Sequence, residues 1–169
     1  MTVTTKTIVL TALFIAIVTL MTFINIPLFG PQGGLIHLGY VALFPIAILY
    51  GRYVGMIAGG LGMGLFDILS GWSAWAPGTL IIVGIIGYVV GSLTQGQPSY
   101  QRLGLAMILG SVISVLGYFL YNAYFMGFGV ESASVSMLGD ALKVGASTVI
   151  TFFTYPALKR LKVQFSDVV

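Results

Sequence analysis

The sequence predicts an all-α integral membrane protein of six transmembrane helices with both termini cytoplasmic. Three observations carry this expectation. Of 169 residues, 58% are hydrophobic and only 7% charged, with a mean hydropathy of +1.06; a soluble domain carries about 25% charged residues. The apolar residues fall into six long runs separated by turn chemistry. Lys and Arg gather at alternate breaks, as they do when such runs cross a bilayer.

The first run, Thr7–Ile26, follows a single Lys and is long enough to span. It lacks a small-residue cleavage site and so reads as a retained helix, not a signal peptide. The second and third runs, Leu35–Tyr50 and Tyr53–Leu69, are separated only by Gly51 and Arg52, which predicts a tight helical hairpin. Gly78–Thr94, Leu103–Phe125 and Val135–Leu158 complete the set. The breaks PLFGPQGG, SGWSAWAP, QGQPSYQR and GFGVES supply the turns, with residues 126–134 expected as an outer loop. No soluble domain or linker is evident, so residues 1–169 are expected to form a single membrane domain.

Orientation follows from the cations. With six spans, Lys6, Arg52, Arg102, Lys159, Arg160 and Lys162 all fall on one side, which is cytoplasmic. The opposite side carries Glu131 and neither Lys nor Arg in its loops; the seventh cation, Lys143, lies inside the sixth run. The net charge of +3 therefore reflects topology and gives no reason to expect nucleic acid.

Several chemistries are disfavoured. The chain has no Cys, which excludes disulfides and thiolate metal sites. A lone His37 argues against a dedicated metal site, and neither metal nor cofactor is expected. No nucleophile–base pair or HExxH motif is present, so an enzyme is not predicted. The glycines Gly55, Gly59, Gly60, Gly62, Gly64, Gly84, Gly87 and Gly91 precede no Lys-Ser/Thr. They read as close-packing residues, not a phosphate loop.

Ionisable groups in lipid are costly and mark candidate sites. Asp67, Asp140 and Lys143 are the three. Asp140 and Lys143, three apart, share a helix face, which Ser147, Thr151 and Thr154 continue. The fifth run has a matching stripe of Ser111, Ser114, Tyr118, Tyr121 and Asn122. Lipid offers these groups no partners, so both stripes must turn inward. Their polarity gathers toward the outer ends, describing a cavity open to the outside and closed below. Two readings of Asp140–Lys143 stay open: a self-neutralising pair that pins the sixth helix, or part of a small-ligand site. Trp72 and Trp75 are either interfacial belt residues or a wall of that site. His37, at the outer start of the second run, is a hydrogen-bonding cap or a ligand contact. Gly60, Gly64 and Asp67 share one face, so Asp67 points into the bundle. There, fastening the outer end of the third helix or capping loop backbone is favoured over meeting ligand. Ala12 and Ala16 form a small patch, for internal packing or for docking.

The Ala-x-x-x-Ala helix, the Pro/Gly-rich outer loop and the run LGYVALFPIAILYGRYVGMIAGGLGMGLFDILSGWSAWAPGTLIIVGIIGYVVG together resemble a known family. It is the substrate-binding membrane subunit, or S component, of energy-coupling factor (ECF) vitamin transporters. The densest similarity runs from Leu38 to Gly91, through Gly51, Gly55, Gly59, Gly60, Asp67, Gly71 and Pro77–Thr79. Within the family the chain is most similar to the branch linked to hydroxymethylpyrimidine and pyridoxine. The resemblance implies a six-helix protein of the bacterial cell membrane that binds a vitamin from outside with high affinity. It implies partners as well: the vitamin, membrane lipid, a transmembrane coupling subunit and two cytoplasmic ATPases. The family's docking face maps to Ala12 and Ala16. Its site region maps to Trp72, Trp75, Tyr118, Asn122, Asp140 and Lys143, beside His37. The Asp-x-x-Lys of the sixth run also resembles flavin-binding relatives, so a riboflavin-type or other vitamin subunit is one alternative. A stand-alone small transporter or channel is another, although no continuous charged route crosses the chain.

Overall fold

The computed structural model describes residues 4–27, 35–96 and 98–166, with side chains as far as residue 160. Residues 28–34 of the PLFGPQGG loop, Gln97, Asp167 and the Lys162 side chain fall outside the described set.

Helix α1, Thr5–Phe23, starts where the Thr4 side chain accepts a hydrogen bond from Thr7 N. Its outer surface (Ile8, Val9, Leu13, Leu20) is exposed and apolar, suited to lipid. The Thr11, Thr19 and Thr22 hydroxyls donate to carbonyls one turn back, so none is left unpaired. The helix does not reach Ile26 as expected, nor does the second run begin as helix at Leu35. Asn25–Pro27 (β1) instead pairs antiparallel with Leu35–His37 (β2), with Asn25 opposite His37. Pro27 disfavours helix at the residue before it. The Asn25 amide donates to the Thr22 and Phe23 carbonyls and closes the end of α1.

Helix α2, Gly39–Tyr50, has 12 residues, about 18 Å of length, against a hydrocarbon core of roughly 30 Å. It is packed among the other helices through Tyr40, Leu43, Phe44 and Ala47, all fully buried. Gly51, at φ +90°, makes the sharp turn into α3, Arg52–Leu69, as the expected hairpin requires. Helix α4, Ala76–Leu93, lies backbone to backbone on α3. A Cβ on Gly87 would overlap the Gly55 carbonyl, and one on Gly60 would sit 2.7 Å from the Leu80 carbonyl oxygen. Gly91 touches Arg52, so Arg52 shares one end of the bundle with the turn that leads to Arg102.

Helix α5, Tyr100–Leu120, is capped by Ser99 and widens into a π-helical turn at Tyr121–Phe125. Helix α6, Gly129–Ser166, begins before the expected Val135 and continues through Lys159 and Arg160. Residues 129–134, expected as loop, are helical. Glu131 sits favourably in the first turn, and polar residues there let a helix project beyond the apolar layer. Five helices, α1, α3, α4, α5 and α6, are long and apolar enough to cross a membrane. The protein is an all-α membrane bundle with one small hairpin at its outer end.

Replacing Gly87 with Val should force α3 and α4 apart and cost about 1–3 kcal/mol, the usual penalty of overpacking. Thermal unfolding in detergent reads this as a lowered midpoint; an unchanged midpoint would contradict the backbone contact.

Candidate ligand-binding site

Ser136, Asp140 and Lys143 recur at helical spacing on the inward face of α6, and all three are buried. Lys143 Nζ pairs with Asp140 Oδ1 at 2.5 Å. The ammonium also lies 4.7 Å from the centroid of the Tyr118 ring and 5.9 Å from that of Tyr40. Aromatic faces at this range stabilise a desolvated cation. Tyr40 Oη and Ser114 Oγ share a hydrogen bond of 2.8 Å, and the Tyr40 ring stacks on His37. His37 Nδ1 accepts from Gly39 N at 3.1 Å, so in the neutral ring Nε2 carries the proton. Burial first, and the Lys143 charge second, hold this imidazole well below the usual histidine range.

The turn between α3 and α4 brings the tryptophans. Trp72 and Trp75 meet edge to face at 5.1 Å. Trp75 Nε1 donates to Asn122 Oδ1 at 3.0 Å, and Asn122 Nδ2 donates to Ser136 Oγ at 3.2 Å. Asn122 stands in the π-helical turn, a device that rotates a residue out of α register and recurs at functional sites. Tyr118 Oη donates to Thr79 Oγ1 at 3.0 Å, and Thr79 in turn reaches the Asp67 carboxylate.

These groups line one narrow cavity of about 60 Å³ at the outer ends of the helices. All seven expected ligand residues, Trp72, Trp75, Tyr118, Asn122, Asp140, Lys143 and His37, are on its wall. The wall also holds Thr22, Leu35, Met63, Phe66, Thr79 and Ser136, none of which was expected as a ligand residue. Ser136 had a usable signal, four residues before Asp140 on the same face. Asp67 lies on the cavity wall, with its backbone carbonyl accepting from Trp72 N and its carboxylate within reach of Thr79 on α4. Tyr121 turns away and donates to the Ala74 carbonyl. Thr154 is exposed and does not continue the inward stripe. Among the described residues no group of His, Cys, Asp and Glu is placed to hold a metal.

Ala12 and Ala16 are exposed on α1. Ala12 borders an apolar groove of about 660 Å³ between α1 and α3, with Ile8, Ile15, Val54 and Ile57.

An apolar bundle with an aromatic-walled, charge-bearing cavity at its outer end has the form of a small-ligand pocket in a membrane protein. The comparisons narrow the class. Residues 2–161 match the family of the ECF-type riboflavin transporter, S component, and the chain belongs to that family. It is therefore a multi-pass protein of the cell membrane and a component of a vitamin transporter. A relative from Pyrococcus woesei, an uncharacterized protein in gap 3'region, is 32% identical over 127 residues, 75% of this chain and 83% of the relative. The thiamine precursor transporter HmpT of Lactococcus lactis subsp. cremoris (strain MG1363) is 29% identical over 151 residues, 86% of each chain.

Two outcomes test the geometry. Lys143→Met leaves Asp140 buried without its partner and should cost about 3–5 kcal/mol, most of it recovered in the Asp140→Asn/Lys143→Met double variant. Thermal unfolding of the three variants checks this, and equal losses in the single and double variants would contradict it. The second outcome concerns pH. The folded state resists protonation of His37, whereas the unfolded chain takes a proton near pH 6.5. Stability should therefore fall as pH drops through about 6.5 toward the folded-state value. His37→Gln should flatten that slope; an identical slope would rule His37 out as its source.

Proposed function

We propose that this chain is the high-affinity vitamin-binding subunit of an ECF-type ABC importer, taking up hydroxymethylpyrimidine or pyridoxine. The observation that carries the reading is the convergence of Trp72, Trp75, Asn122, Asp140 and Lys143 on one outer cavity. The heterocycle stacks on a tryptophan. Asn122, Asp140 and Lys143 match its polar substituents, since each polar group buried without a partner costs affinity. Asn122 already spends both ends on Trp75 and Ser136, so binding exchanges those bonds for ligand bonds and couples the tryptophan turn to occupancy. The loaded subunit docks through Ala12 and Ala16 on a transmembrane coupling subunit, and two cytoplasmic ATPases drive release inward.

The family's name favours a second reading, a riboflavin subunit. The thiamine-precursor relative supports the single-ring ligand over a fused three-ring flavin.

Isothermal titration of the purified chain should show binding of hydroxymethylpyrimidine or pyridoxine well ahead of riboflavin; the reverse order would favour the second reading. Lys143→Ala should weaken binding by at least about tenfold, the scale of a lost charged hydrogen bond, and unchanged affinity would remove Lys143 from the site. Replacing Ala12 and Ala16 with Leu should abolish uptake and leave binding intact. Loss of binding as well would assign the patch to internal packing. Flux through vesicles holding this chain alone would support a stand-alone transporter instead.

A further inference from the structure

Asp67 is only 7% exposed, and its Oδ2 has no hydrogen-bond partner among the described residues. A buried carboxylate oxygen left unmatched is costly, and this one belongs to a side chain on the cavity wall. The neighbouring polar groups already have internal partners, which a ligand must exchange before it can bond them. Lys143 pairs with Asp140, Tyr118 donates to Thr79, and Asn122 is held at both ends. What the wall still offers is therefore an acceptor of negative character at Asp67. The neutral His37 ring, its Nδ1 already occupied, adds an Nε2–H donor to the same wall.

We propose that Asp67 is the specificity-determining residue of the site, selecting a heteroaromatic ligand that presents an N–H donor, such as the exocyclic amine of an aminopyrimidine. This rests on the vitamin-binding reading and adds to it the group by which the ligand is chosen. A ring nitrogen, an acceptor, suits the His37 donor, and an aminopyrimidine carries both features. A site built to bond an N–H discriminates strongly against the analogue that lacks it, because its own polar group is then stranded.

The test is a titration of wild type, Asp67→Ala and Asp67→Asn with two probes. One is 4-amino-5-hydroxymethyl-2-methylpyrimidine; the other is the same molecule with methyl in place of the amine. Wild type should prefer the amine by about tenfold or more. Asp67→Ala should bring the two affinities to within about threefold, by losing the amine compound and keeping the methyl one. Asp67→Asn, which keeps a neutral acceptor and the shape, should retain an intermediate preference and serves if the Ala variant fails to fold. Equal loss of both probes in a folded variant, or a preference that survives both substitutions, overturns the inference. Wild-type binding without preference overturns it alone and leaves the vitamin-binding reading standing. Wild type that binds neither probe overturns the inference, and overturns the vitamin-binding reading with it only if pyridoxine also fails to bind.

Discussion

Lys143 holds an ammonium inside an apolar bundle, and the outer end of the molecule is organised around keeping it there. Desolvating such an ion costs several kcal/mol unless opposite charge and hydrogen bonds replace its water. Asp140 supplies the charge from one turn away on the same helix. The rings of Tyr118 and Tyr40 supply aromatic faces from α5 and α2. Each tyrosine is anchored in turn, Tyr40 by Ser114 and Tyr118 by Thr79 of α4. The chain of contacts ends at Asp67 on α3. Five helices thus meet at one buried charge.

The cavity lies at the outer end, beyond the closest approach of α3 and α4. The two backbones are closest at Gly91 and Gly87 and still tight at Gly60. At Gly64 a Cβ would find its nearest neighbour at an ordinary 3.8 Å. The helices part there, just before Asp67 and Thr79, and the turn that follows carries both tryptophans. Close packing below and divergence above are two consequences of where the small residues stop. The exposed apolar surface on the outside of the bundle, such as Leu61, Leu65, Leu116 and Phe153, faces lipid and needs no protein partner to explain it.

The spans and their orientation were legible because hydropathy and one-sided cations report directly on the bilayer. The hairpin of β1 and β2 was not. Asn25–Pro27 and Leu35–His37 are apolar enough to extend either neighbouring helix, and only Pro27 hinted otherwise. The start of α6 was misplaced for the opposite reason, since its first residues are polar and read as loop. At the site, Asp140, Lys143, Asn122 and the tryptophans stood out because charge, amide and indole are conspicuous in so apolar a chain. Met63 and Phe66 are indistinguishable by type from core residues, and hydroxyls such as Thr79 bond their own helix as readily as a ligand. Asp67 was drawn toward a scaffold role by the glycines on its face. Only the three-dimensional arrangement places Asp67 among the residues of the cavity wall.

The two tryptophans of the chain, Trp72 and Trp75, both line the cavity. Intrinsic fluorescence therefore reports on the site without a label. Titrating the purified protein with hydroxymethylpyrimidine and pyridoxine should give a saturable change with at least one of them, lost when Trp75 is replaced. A flat response to both, together with unaltered fluorescence in the presence of riboflavin, would contradict a vitamin site at this cavity.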